Sequence, residues 1–218
     1  MKKILLAGSS GLIGREVIAL ASHYNIQLTA LFSSTPQFDI DKSIHQVIIS
    51  DWHNQDIMLD LMKEHDELIC TIGTTIKKAG SQKAFEDTDI GIVTLLANNA
   101  FQLDYHGFHL VSSIGADASS SNFYLQCKGK AENAVLSHNF DAVTILRPSL
   151  LLGNRIEFRF GEKIAMFVFK PFSWLFLGKC KRYKPIHASI IASCLLKRAS
   201  SNEHIKITLE SDEINSFQ

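Results

Sequence analysis

The sequence predicts an α/β fold, a doubly wound parallel sheet with a small C-terminal lid, and three observations predict it. Short apolar runs alternate with helical stretches along most of the chain. The runs ILLA at 4–7, LICTI at 68–72 and VTILR at 143–147 are nearly continuous in apolar residues, as strands buried on both faces require. A glycine-rich loop, Gly8-Ser9-Ser10-Gly11-Leu12-Ile13-Gly14, joins the first run to the first helix.

Each element follows from local pattern. Lys2 to Ala7 reads as a strand, and the helix after the loop, about Leu12 to His23, carries Leu12, Ile13, Val17, Leu20 and Ala21 on one side. Ile26 to Phe32 is a second strand, ended by Ser33-Ser34-Thr35-Pro36. Ile44 to Ile49 is a third, followed by Asp51 and a helix from about Asn54 to His65. Glu67 to Ile72 is a fourth strand, with a polar loop through Lys77, Lys78 and Gly80 leading to a long helix, about Gln82 to Gln102. Phe108 to Ser112 is a fifth strand, Asn122 to Ser137 a helix and Ala142 to Leu146 a sixth strand. A helix of about Ala188 to Ala199 and a strand from His204 to Leu209 complete the pattern. Right-handed crossovers then place helices on both sides of the sheet, and loops at the carboxyl ends of the strands converge on one edge.

The 218 residues read as one Rossmann-type domain, 1–218, with 154–187 as a variable lid or substrate segment inside it. Hydrophobic content of 46% against 20% charged residues indicates a globular chain, and the formal net charge of zero argues against a nucleic-acid partner. The four cysteines, Cys70, Cys127, Cys180 and Cys194, form no CxxC pair, and the first apolar run stops at a glycine too soon for a secretory signal. The expectation is reduced thiols and a cytoplasmic protein. The stretch from Ile164 to Gly178 is strongly apolar, but it is shorter than the about 20 residues of a spanning helix and is broken by Lys170 and Pro171. It reads as buried or lid-forming pieces; interfacial anchoring, helped by the cations beyond it, is the lesser alternative.

Gly8, Gly11 and Gly14 carry the most specific signal. Two of them permit a tight turn and close approach of the backbone to a diphosphate, and the third lets the helix pack closely. The helix start offers unpaired N–H groups and a positive dipole end, to which Ser9 and Ser10 could add hydroxyls. This is the pattern of an NAD(P)-binding loop. The second strand ends in Ser33, with neither the carboxylate that selects a ribose 2′-hydroxyl nor an arginine for a 2′-phosphate. A serine can donate to phosphate, which favours NADP over NAD. Asp51 is a candidate for the adenine amino group or, equally, a helix N-cap.

Tyr124 and Lys128 are four residues apart on a predicted helix and share a face. Ser113 stands eleven residues before the tyrosine. A phenol that titrates near ~10 is a weak acid–base group at neutral pH, and an adjacent ammonium makes it more acidic. A serine hydroxyl can hold the substrate oxygen near the phenol. The trio Ser113, Tyr124 and Lys128 is therefore a candidate catalytic set.

Four segments carry a family resemblance: AGSSGLIGREV at 7–17, CTIGTTIKKAGS at 70–81, LVSSIGADASSSNFYLQCKGKAE at 110–132 and LRPSLLLGNR at 146–155. With these the chain resembles the atypical short-chain dehydrogenases/reductases, in the NAD(P)H-binding oxidoreductase branch that includes the human Tat-interacting-protein homologue. The resemblance implies a Rossmann fold and Ser113, Tyr124 and Lys128 in catalytic positions. It also implies Thr71, Ile72, Gly73 and Thr74 beside the ribose, and Pro148 and Leu150 beside the nicotinamide. The chain departs from the family at Ser33, where a basic residue is usual. It departs also near Thr88, where extended members carry asparagine. The stretch after about Glu157 matches loosely, so a substrate does not transfer.

The nine histidines form no HExxH or close His/Cys cluster along the sequence, so no metal site is expected. His187 reads as a helix cap and Cys70 as a small buried hydrophobe. Three functions remain open: hydride transfer between NAD(P) and a carbonyl or alcohol on an unidentified small molecule, nucleotide-sugar epimerisation, and non-enzymatic regulation through NAD(P)H and a protein partner. A homodimer is also left open.

Overall fold

A computed structural model of the chain describes residues 1–153 and 182–216. The order is β1 (Lys2–Ala7), α1 (Leu12–Leu20), β2 (Ile26–Phe32), β3 (His45–Ile48), α2 (Gln55–Met62), β4 (Glu67–Cys70), α3 (Ile76–Ala79), α4 (Gln82–Glu86), α5 (Val93–Gln102), β5 (Gly107–Val111), α6 (Phe123–Leu136), β6 (Ala142–Arg147), β7 (Leu151–Leu152), β8 (Ile186–His187), α7 (Ala188–Ser200), β9 (Lys206–Glu210) and α8 (Ser211–Ser216). Seven strands form one sheet in the order β3-β2-β1-β4-β5-β6-β9. Every pairing is parallel. The order reverses between β1 and β4, which opens a crevice at their carboxyl ends.

Alternation along β1 explains why its run is continuously apolar. Ile4 and Leu6 pack into one layer with Val17 of α1 and Ile191 and Leu195 of α7. Leu5 and Ala7 pack into the opposite layer with Met58 of α2, Leu96 of α5 and Val135 of α6. Successive side chains of a strand point to opposite faces, so a sheet covered twice needs apolar residues at every position.

The limits of the seven strands of the sheet match the sequence expectation to within two residues. Three differences have physical causes. The long helix foreseen over 82–102 is interrupted by a π-helical turn at Asp87–Ile92. There Thr88 donates its hydroxyl back to Ala84 O at 2.9 Å, and Asp89 turns into the interior. The polar loop before it contains α3, capped by Thr75, whose hydroxyl accepts from Lys78 N, and closed by Gly80 at φ 82°. The short α8 follows β9 without warning in the sequence. The segment 164–178, most of the lid 154–187 and Cys180 lie outside the described residues. Where the chain re-enters, β8 pairs with β7 beside the exit of β6, and Ser149 Oγ donates to Lys184 O at 2.6 Å. No helix among the described residues is long and apolar enough to cross a membrane.

At the amino ends of the strands lies a buried polar cluster. Glu67, 1% exposed, receives His109 Nε2 at 3.0 Å and Lys2 Nζ at 2.5 Å. Gly107 makes room for it, since a Cβ there would sit 2.2 Å from Glu67 Oε2. Burial holds the His109 imidazole below its ordinary value, and the hydrogen bond to Glu67 offsets only part of that. Because the folded value is the lower one, the unfolded chain takes the proton first as pH falls. Stability from this group is thus held above about pH 6.5 and lost below it. Urea midpoints at about pH 7.5 and about pH 5.5 should show a loss on acidification that His109→Gln reduces.

Candidate functional site

The glycine loop fills the step between β1 and α1. Gly8 adopts φ 90°, and a Cβ built on it would lie 2.6 Å from Thr71 C and Oγ1. Gly14 is as constrained: a Cβ there would lie 2.3 Å from Gly8 O. Gly11 N donates to Gly8 O at 3.0 Å, closing the turn. Gly11 is the N-cap of α1 and supplies no side-chain bond, so the first-turn amides around Leu12, Ile13 and Gly14 have no side-chain acceptor. Ser10 is exposed at the rim, while Ser9 is fully buried. Ser9 Oγ donates to Leu6 O at 3.1 Å, so it braces the loop and does not serve as the phosphate donor foreseen for it. Thr71, expected beside the ribose, also braces the loop: its hydroxyl donates to Ala7 O at 3.2 Å and Gly8 O at 3.1 Å.

Across the crevice, α6 begins at Asn122, whose side chain accepts from Leu125 N. Gly129 lets the preceding loop lie on this helix, since a Cβ there would strike Ala118 N at 2.1 Å. That contact turns the Tyr124–Lys128 face of α6 toward the strand exits. Lys128 is 7% exposed and pairs with the fully buried Asp89 at 2.7 Å. Burial by itself would lower the Lys128 ammonium. The Asp89 carboxylate and the Tyr124 oxygen outweigh it, and the net value stands above that of an ordinary lysine. Tyr124 is half-buried, with its ring edge-on to Phe85 at 6.1 Å.

Gly73 lies directly beneath this pair. A Cβ on it would be 3.3 Å from Lys128 Nζ and 3.6 Å from Asp89 Oδ1. Thr74 N donates to Asp89 Oδ2 at 2.9 Å, so the carboxylate ties the exit of β4 to the lysine. Ile72 is buried beside them. Ser113 is half-buried at the exit of β5, and its hydroxyl reaches Ile114 O only at 3.5 Å, beyond an ordinary hydrogen bond. Its neighbour Ser112 is buried with no partner for its hydroxyl among the described residues. Pro148 O accepts from Ile114 N, and Leu150 O from Ile186 N, each at 3.0 Å. The first bond ties the exit of β5 to that of β6, and the second fastens the chain leaving β6 to the returning chain.

Ser33 and Asp51 are exposed beyond the carboxyl ends of β2 and β3, on the far side of the switch point from Lys128. Asp51 does not cap α2. It accepts from His53 N at 2.9 Å, and Asn54 is the cap. His187 begins α7, but its ring makes no cap bond. Cys70 is fully buried, and burial pushes its thiol up to about 11.

Two residues passed unremarked in the sequence. Asp89 stands beside Thr88, near where extended members carry asparagine, and the π-helical turn sends the aspartate rather than the threonine inward. No signal in the sequence singles it out, because Glu86 and Asp87 stand just before it. Arg15 follows Gly14 on α1. Its guanidinium stacks 4.6 Å over the Phe38 ring, and its Nε donates to Ser10 O at 3.0 Å. Phe38 meets Phe32 at the end of β2, at 6.2 Å between ring centroids. An arginine therefore does reach the second-strand exit, from the first helix instead of from the loop where one was sought.

The residues fit a dinucleotide: two glycines too crowded for side chains, an uncapped helix start, and a charged lysine over the neighbouring strand exit. They define a Rossmann domain of the short-chain dehydrogenase/reductase kind. Residues 8–163 match the NAD(P)H-binding family, and the chain belongs to it, among the atypical short-chain dehydrogenases/reductases. The chain is 32% identical over 179 residues to Protein HTATIP2 of Rattus norvegicus, covering 79% of this chain and 73% of that one. It is 33% identical over 158 residues to "Protein FMP52, mitochondrial" of Candida albicans, covering 70% and 68%. The mitochondrial location in that name is that relative's own. The fold is similar to that of the Bordetella bronchiseptica enzyme WbmH in complex with NAD+, with a TM-score of 0.73 at 13% identity over 99% of this chain and 78% of that one.

Removing the carboxylate from this pair leaves a buried, uncompensated ammonium. Asp89→Asn is expected to destabilise the fold by about 3 kcal/mol, read from urea unfolding near neutral pH. Its effect should shrink as pH rises and the unpaired Lys128 sheds its proton.

Proposed function

We propose that the protein is an NAD(P)H-dependent oxidoreductase acting on a carbonyl or alcohol carbon of a small molecule. The observation that carries this reading is the ammonium of Lys128, held charged by Asp89 one helical turn from Tyr124 and over Gly73. A bound nicotinamide supplies or accepts the hydride. In reduction the Tyr124 hydroxyl donates its proton to the developing alkoxide; in oxidation the phenolate takes the proton back. The Lys128 ammonium stabilises that phenolate and can also donate to the nicotinamide ribose. Asp89 keeps the lysine charged and aimed. Ser113 Oγ, weakly engaged within the protein, donates to the substrate oxygen and orients it. First-turn amides of α1, from Leu12 to Gly14, grip the diphosphate.

NADP is the favoured nucleotide. Ser33 can donate to a 2′-phosphate, and Arg15 adds the cation that the strand end lacks. Asp51 Oδ2, not used in the turn to His53, suits the adenine amino group.

Carbonyl-dependent NADPH oxidation over a panel of aldehydes and ketones tests the chemistry. Tyr124→Phe is expected to lower kcat by about 100-fold or more while leaving nucleotide binding intact. Equal rates would remove the tyrosine from the reaction. Arg15→Ala is expected to weaken NADPH about tenfold, near 1.4 kcal/mol, with little change for NADH. Thermal-shift titration with both reduced nucleotides reads the difference.

A further inference from the structure

The opposite edge of the sheet holds a second cluster that the proposed reaction does not use. His106 immediately precedes β5, Asp141 immediately precedes β6, and His204 stands two residues before β9. These three strands are consecutive in the sheet, so the parallel fold gathers residues separated by 35 and 63 positions at one spot. His106 Nδ1 and His204 Nδ1 face the same oxygen, Asp141 Oδ2, at 3.4 Å and 3.5 Å. One ligand atom from each of the three residues lies within 4.8 Å of the others. The two rings meet edge to face, with centroids 4.9 Å apart at 87°.

The geometry points to a site for a borderline divalent transition-metal ion, with Zn2+ the best match, bound by His106, Asp141 and His204. The spacing itself supports this. Ligands at about 2.0–2.1 Å from a tetrahedral zinc are separated by about 3.3–3.4 Å along each edge. The two Nδ1–Oδ2 separations fall close to that edge and are longer than an ordinary N–H···O hydrogen bond. The donor set of two imidazoles and one carboxylate suits zinc better than Ca2+ or Mg2+, which prefer all-oxygen shells.

The surroundings fit as well. A metal-bound imidazole usually turns its other nitrogen toward a carboxylate. His106 Nε2 is buried, has no hydrogen-bond partner among the described residues, and lies 3.9 Å from Glu67 Oε1. Asp141 and His204 are exposed, which leaves a fourth position for water and a path for the ion. Bound there, the ion clasps the last strand of the sheet to the two before it. This runs against the expectation of no metal site, which rested on the absence of any familiar ligand spacing along the chain.

Zinc binding to the full chain, freed of any tag and treated with chelator, tests the site by competition with a chromophoric indicator. The expected result is one Zn2+ per chain, with affinity falling at least about tenfold in His204→Ala and in Asp141→Asn. Co2+ in place of zinc should give the intense visible absorption of a tetrahedral centre in the wild type and lose it in both variants. His204 and Asp141 are exposed, and circular dichroism with the melting temperature verifies that each variant is folded. No binding by the wild type, or equal binding by wild type and folded variants, overturns the proposal. Neither result bears on the nucleotide site, which lies at the other end of the strands.

Discussion

Gly8 sits against the backbone of Thr71 more closely than any side chain would allow, and the crevice depends on that contact. It joins the exit of β1 to the exit of β4 where the strand order reverses. Gly14 repeats the constraint six residues later, against the carbonyl of Gly8 itself. Together they set where α1 starts and leave its first amides turned to the crevice. The hydroxyls of Ser9 and Thr71 are likewise taken up by backbone carbonyls, of Leu6 and Ala7 in β1 and of Gly8 in the loop. The loop is thus shaped before a ligand arrives, which reduces the ordering that binding would otherwise require.

The charged lysine depends on the same scaffold. A buried ammonium is costly unless a counter-charge accompanies it into the interior. Asp89 provides that charge only because a π-helical turn breaks the regular helical register and brings it inward. The aspartate also accepts from Thr74 N, so one carboxylate links the exit of β4 to α6. The irregular turn and the buried pair are therefore two aspects of one arrangement. Distortions of this kind concentrate at functional sites because the surrounding structure must hold them in place.

The sheet has a buried polar cluster at each end. At the carboxyl ends, Lys128 pairs with Asp89. At the amino ends, Glu67 gathers Lys2 and His109 inside the fold, with Gly107 shaped to admit the carboxylate. His106, Asp141 and His204 lie just outside it. Parallel strands align their starts as strictly as their finishes, so residues that precede neighbouring strands become neighbours themselves.

The local signals were legible. Apolar runs gave the strands, the glycine spacing gave the nucleotide loop, and the i,i+4 spacing of Tyr124 and Lys128 put both on one helix face. Each of these depends on residues within a few positions of one another, where period and steric size leave few alternatives. Asp89, Arg15 and the His106–Asp141–His204 cluster were not legible. Their roles follow from a helix leaving its regular register, from a guanidinium reaching across to another element, and from strand starts brought level by the sheet. Sequence by itself determined the elements and their alternation, because those are set by short-range periodicity. Only the tertiary structure decided which distant charges meet, because a separation in space between residues far apart in the chain is fixed by the packing of the whole sheet.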